Sequence, residues 1–145
     1  MPKATTPDAE QLVHDYADLL NGDFSKLDVL SKSYTFYGPG VPEEGLTRDA
    51  FEEYVRGNRE AFPDLEYTVD EMLASDEVIM SEWTVTGTHE GEFNGIPPTG
   101  RKIEFNTMGT QRITDGKIGE ERGYYDPQEM LAQLGVTDDG GGASQ

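Results

Sequence analysis

At Leu65 the spacing of apolar residues changes, and that change limits the folds open to this chain. Before it they recur every three or four positions, as in helices; after it they alternate, as in strands. The first helix is predicted from Thr6 as N-cap, with Pro7 at its first position and Asp8 and Glu10 in the first turn, to about Asn21. Its apolar stripe is Leu12, Val13, Tyr16, Leu19 and Leu20. Asp23 caps a short second helix carrying Phe24, Leu27 and Leu30. A strand, Ser33 to Tyr37, ends at Gly38-Pro39-Gly40, with Tyr34 and Phe36 on one face and Tyr37 on the other. Thr47 caps a third helix, which runs to about Phe62 and buries Phe51, Tyr54, Val55 and Phe62.

Beyond Leu65 the pattern gives strands at Leu65 to Leu73, Val78 to His89 and Arg101 to Thr114. Ile79, Ser81, Trp83 and Val85 share one face of the second of these. Asp115-Gly116 is a tight hairpin turn, and a last strand follows from Ile118. Unbroken alternation would put Ile118, Glu120, Arg122, Tyr124 and Asp126 on one face. Helical spacing returns with Met130, Leu131 and Leu134, stopped by Gly135. Helices, then a run of strands, then a closing helix is an α+β layout: one curved antiparallel sheet forming a cone, with N-terminal helices and a short C-terminal helix. Glycines at 87, 109, 119 and 123 suit a strongly curved sheet with bulges. One domain is expected at 6–136, with flexible tails at 1–5 and 137–145. Such a cone encloses a natural small-molecule pocket.

Charge narrows the partners. Acidic residues number 29 against 11 basic ones, a net charge of −18. That argues against nucleic acid and anionic membranes, which require basic surface. The acid is dispersed rather than blocked into a tail, as in proteins of a high-salt cytoplasm, where salt screens self-repulsion. The chain has no run of apolar residues long enough to span a bilayer and no secretory signal pattern, which favours a cytoplasmic protein.

Several chemistries are excluded by residue type. Cysteine is absent and the only histidines are His14 and His89, so a zinc centre and a Ser-His-Asp triad are not expected. A phosphate-cradling loop is also missing. What remains is cofactor-free acid–base work by one carboxylate in an apolar cavity, where burial raises its pKa toward neutrality. Asp126, at a strand-to-helix junction near Tyr124, is the candidate. The same residue opens Asp126-Pro127-Gln128-Glu129, a strong helix start, so it is either an acid/base, a cap, or both.

The run GTHEGEFNGIPPTGR at 87–101, the DGKI at 115–118, then Glu120, Asp126 and the QLG at 133–135 resemble the SnoaL-like polyketide cyclase (ester cyclase) family. AFPDLEYTV at 61–69 and Asn21-Gly22-Asp23 add to the resemblance, which spans about residues 8 to 135. It implies a nuclear-transport-factor-2-like cone and cofactor-free catalysis of an intramolecular aldol ring closure. Asp126 matches the position of the family's catalytic Asp. Members commonly carry Trp where this chain has Arg122, which either points inward, toward an anionic substrate or Asp126, or outward, answering Glu120 or Glu121. Trp83, Tyr34, Phe36, Tyr124, Met108 and Arg112 are candidate cavity residues, and His89 either meets the ligand or holds the 91–100 loop. The alternatives are a non-catalytic binding module, or an isomerase or hydrolase in the same pocket; an isomerase would need an oxyanion donor such as Tyr16 or Tyr37. A homodimer through the convex sheet face is expected.

Overall fold

The computed structural model describes residues 7–136. The expected tails and the Thr6 cap lie outside the described residues. Helix α1, Pro7–Leu20, buries Ala9, Val13, Tyr16, Leu19 and Leu20 at helical spacing. Asp23 then caps a 3₁₀ helix, Phe24–Val29, its carboxylate accepting from the Ser25 N–H at 3.2 Å. The expected second helix is thus a short 3₁₀ helix of about two turns. Leu30, expected within it, instead opens strand β1, Leu30–Tyr37, where it is fully buried beside Ile118. A two-residue strand, β2 (Leu46–Thr47), pairs with β1 and leads into α2, Arg48–Ala61. Thr47 caps α2 by accepting from the Ala50 N–H at 3.3 Å.

Four long strands follow: β3 Glu66–Ala74, β4 Val78–Thr88, β5 Lys102–Thr114 and β6 Lys117–Tyr124. The last helix is α3, Pro127–Gln133. The six strands form one sheet in the order β2-β1-β6-β5-β4-β3, antiparallel except where β1 runs parallel to β6. The sheet is curved and unclosed, and α1 and α2 cover its inner face. Asp115 and Gly116 take positive φ (53° and 78°) in the β5–β6 turn, as a two-residue hairpin of matching twist requires.

The face expected for β6 does not survive to its end. Arg112 opposes Glu120 and Ile113 opposes Ile118, so Gly119 is an extra residue with no partner on β5: a β-bulge. A Cβ at Gly119 would fall on the Thr114 hydroxyl, so any side chain here requires Thr114 to shift. Beyond the bulge the alternation is reversed. Ile118 and Glu121 are buried, whereas Arg122 and Tyr124 face solvent.

The buried side chains form two clusters. One joins α1, β1, α2 and part of β4; the other joins Phe62, Leu65, Val85, Ile103, Phe105, Met130 and Leu134. Two neighbouring side-chain clamps tie the C-terminal ends of α1 and α2 to the chain entering β3. The Asn21 side-chain amide exchanges two hydrogen bonds with the Tyr67 backbone, at 2.7 and 3.0 Å. The Arg59 guanidinium donates to the carbonyls of Leu20 (3.2 Å) and Leu65 (2.8 Å).

Candidate functional site

A cavity of ≈480 Å³ lies between the two core clusters. Its walls are mainly apolar: Phe36, Phe51, Phe62, Tyr67, Trp83, Val85, Ile103, Phe105 and Tyr125. These come from β1, α2, β3, β4, β5 and the chain after β6, so the fold as a whole builds the pocket. Exposed lining residues Gly40, Glu53, Gly57, Glu60, Glu92 and Asn94 mark its mouth, between α2, the turn after β1 and the 91–100 loop.

One carboxylate reaches the interior. Glu121, turned inward by the Gly119 bulge, lines the cavity at 6% exposure. Three donors converge on it. The Tyr16 hydroxyl donates a short hydrogen bond to Oε1, and the Tyr34 hydroxyl donates to the same oxygen at 2.9 Å. The Gln111 side-chain N–H₂ donates to Oε2 at 3.1 Å. Behind Gln111 the chain of donors continues: Trp83 Nε1–H donates to Ser81 Oγ at 2.8 Å, and the Ser81 hydroxyl donates to Gln111 Oε1 at 2.9 Å. An indole N–H can only donate, so it sets the direction of the whole chain and fixes which end of the Gln111 amide meets Glu121.

Burial raises the Glu121 pKa above its ordinary value, while the hydrogen bonds from Tyr16, Tyr34 and Gln111 oppose the rise. Burial, reinforced by the adjacent Glu121 charge, also pushes the Tyr16 and Tyr34 hydroxyls well above the ordinary tyrosine value, so both remain proton donors. Of the three groups bonded to Glu121, only Tyr16 also lines the cavity. A ligand there meets a carboxylate and a phenol side by side, with Tyr34 and Gln111 behind them. Charge on Glu121 can be taken up or released with its donors already in place.

The residues expected at the site are distributed as follows. Trp83 and Phe36 line the cavity, and Tyr34 supports Glu121 from behind. Met108 borders the cavity but is 55% exposed, and it pairs with the exposed Tyr124 on the outer face. Arg112 is exposed and opposes Glu120 in register. Arg122 points outward: its Nε donates to Glu120 at 3.1 Å and its guanidinium lies 4.3 Å from the centre of the Tyr37 ring. Asp126 is exposed, outside the cavity lining, and caps α3 by accepting from Gln128 N–H (3.0 Å) and Glu129 N–H (3.4 Å). His89 is fully buried, with Phe62 stacked on its ring at 5.3 Å. Its Nδ1 accepts from Thr99 N–H at 3.2 Å, which ties the base of the 91–100 loop, and the tip residues Glu92, Phe93 and Asn94 reach the cavity.

Of the two oxyanion donors expected for an isomerase, Tyr16 lines the cavity and Tyr37 does not, its ring lying under Arg122; Glu121 and Gln111 were not among the expected site residues. The signal for Glu121 was Gly119, a glycine inside a strand that breaks the alternation. Among the described residues no group of three or more His, Asp or Glu is arranged to hold a metal ion.

The sequence model of the SnoaL-like polyketide cyclase family matches residues 10–134. Over 49 residues the chain is 43% identical to nogalonic acid methyl ester cyclase of Streptomyces nogalater. That match covers 34% of this chain and only 37% of the relative's length. Among solved structures, wild-type IdmH of Streptomyces antibioticus superimposes with a TM-score of 0.79 at 27% identity, over 90% of this chain and 100% of that one. TsrD of Streptomyces laurentii gives 0.80 at 25% identity, over 90% and 97%. A Catenulispora acidiphila protein of ketosteroid isomerase-like fold gives 0.76 at 16% identity, over 93% and 98%, which bears on the fold alone. The architecture is the nuclear-transport-factor-2-like α+β fold.

Proposed function

The chain belongs to the SnoaL-like polyketide cyclase family, and from that premise we propose that it is a cofactor-free acid–base enzyme with Glu121 as the proton-handling carboxylate. The observation that carries this reading is the position of Glu121: buried, facing the cavity, and joined there by the Tyr16 hydroxyl. In the reaction we propose, Glu121 takes a proton from a carbon next to a carbonyl, and the electron pair moves onto the carbonyl oxygen. As Glu121 takes up the proton it releases the Tyr16 hydroxyl, whose single hydrogen bond turns to that oxygen. The resulting enolate carbon attacks a second carbonyl of the same molecule and forms a carbon–carbon bond. The new alkoxide then takes the proton back from Glu121, which leaves the enzyme unchanged. On this reading Asp126 keeps the helix cap as its role. We also propose a homodimer through the outer sheet face, where exposed Leu73 pairs with Met80 and exposed Met108 with Tyr124.

The relative's substrate, nogalonic acid methyl ester, is the first compound to test. Ring closure should fall at least about 100-fold in Glu121→Gln, within the usual range for a lost general base, and persist in Asp126→Asn. Persistence in Glu121→Gln with loss in Asp126→Asn would return the role to Asp126. A wild-type chain that leaves the ester unchanged would overturn this substrate for the reaction.

A further inference from the structure

The charge around the cavity is one-sided. Four glutamates line it, Glu121 inside and Glu53, Glu60 and Glu92 at the exposed mouth, whereas no lysine or arginine among the described residues does. The arginines on α2 are committed elsewhere. Arg56 is bonded to Glu52 at 2.8 Å and lies 3.8 Å over the Phe24 ring, and Arg59 donates to backbone carbonyls. The remaining wall is largely aromatic and aliphatic, with Trp83 and Phe51 close to Tyr16.

Resting on the reading of this cavity as the ligand site, we propose that it is a charge filter: it admits neutral or cationic ring-bearing molecules and rejects anions. A carboxylate or phosphate entering the apolar interior would lose its hydration and find no cation to receive it. It would first pass three glutamates at the mouth, where like charge repels. A neutral ring loses little hydration, and an ammonium group gains aromatic faces and a carboxylate. The natural ligand therefore reacts through its carbonyls while bearing no free acid group inside the cavity.

Trp83 is the only tryptophan and lines the cavity, so its fluorescence reports occupancy. Three probes transparent at its excitation wavelength suffice: methyl adamantane-1-carboxylate, 1-adamantylmethylammonium and adamantane-1-carboxylate, titrated into the full chain at pH 7 in dilute KCl. The ester and the ammonium should bind at least about tenfold more tightly than the carboxylate. Glu53→Gln, Glu60→Gln and Glu92→Gln together, all at exposed positions, should narrow the ester-to-carboxylate ratio at least about threefold. Ester and carboxylate binding equally would overturn the filter and leave the ligand site standing. An unmoved ratio in the triple variant would overturn the mouth's part in it. Binding by none of the three would overturn the ligand-site reading itself.

Discussion

Glu121 is held in a state that its surroundings both oppose and support. Burial resists its charge, and three donors favour it. The balance has a consequence for stability with a definite sign. In the unfolded chain Glu121 ionises near its ordinary value of 4.5; in the folded chain it does so only at higher pH. Between the two values the folded state holds one more proton, so stability is fully present below the lower value and falls as pH rises toward the higher. Relative to Glu121→Gln, the wild-type chain should lose stability as pH rises across that window, read from urea unfolding at stepped pH. A difference flat from pH 4 to 8 would refute the raised value. Gln111→Leu removes a donor to the carboxylate, so the Glu121 side-chain carbon should titrate still higher by NMR. Asp126→Ala, by contrast, should cost only about 1 kcal/mol, the usual cost of a lost cap, with Asn largely restoring it. Of these residues only Asp126 announced its local role in sequence, because a cap is a contact between near neighbours. The donors to Glu121 come from positions 16, 34 and 111, and no local pattern connects them.

At the scale of elements, β6 decides which side chains meet a ligand. Unbroken alternation from Ile118 onward would put Arg122 and Asp126 with Ile118 and leave Glu121 outside. One unpaired residue, Gly119, reverses that assignment. Periodicity predicts a face only while pairing stays in register, and a bulge is a pairing event that a single strand does not display. By contrast, α2, β4 and the Asp115-Gly116 turn were legible because cap, alternation and turn chemistry agree locally. Gly119→Val should destabilise the chain by roughly 1–3 kcal/mol, since the added carbons must displace Thr114. It should also alter Trp83 emission, because the carboxylate at the end of the hydrogen-bonded chain shifts with the strand. A variant that melts like wild type with unchanged emission would show that the bulge tolerates side chains.

The whole molecule carries a charge of −18 with few internal answers to it. The ion pairs of Lys26, Arg48, Arg56 and Arg122 are largely surface pairs, each worth about 1 kcal/mol or less. Self-repulsion should therefore be screened by salt, and the melting temperature should rise from dilute buffer to molar KCl. An unchanged midpoint would remove charge as a stability factor. Fold class was legible at this scale because it depends on the order of helices and strands. The pocket's floor was not, because it depends on residues far apart in sequence. The two hydrophobic clusters also face one another across the cavity. A molecule that fills the gap becomes, in effect, the missing centre of the core, and folding and recognition draw on the same surfaces. An occupant at one hundred times its dissociation constant should add about 2.7 kcal/mol to the folded state. Heat resistance thus becomes a search instrument: a library of ring compounds ranked by how far each delays melting would lead toward the natural ligand before any reaction is known.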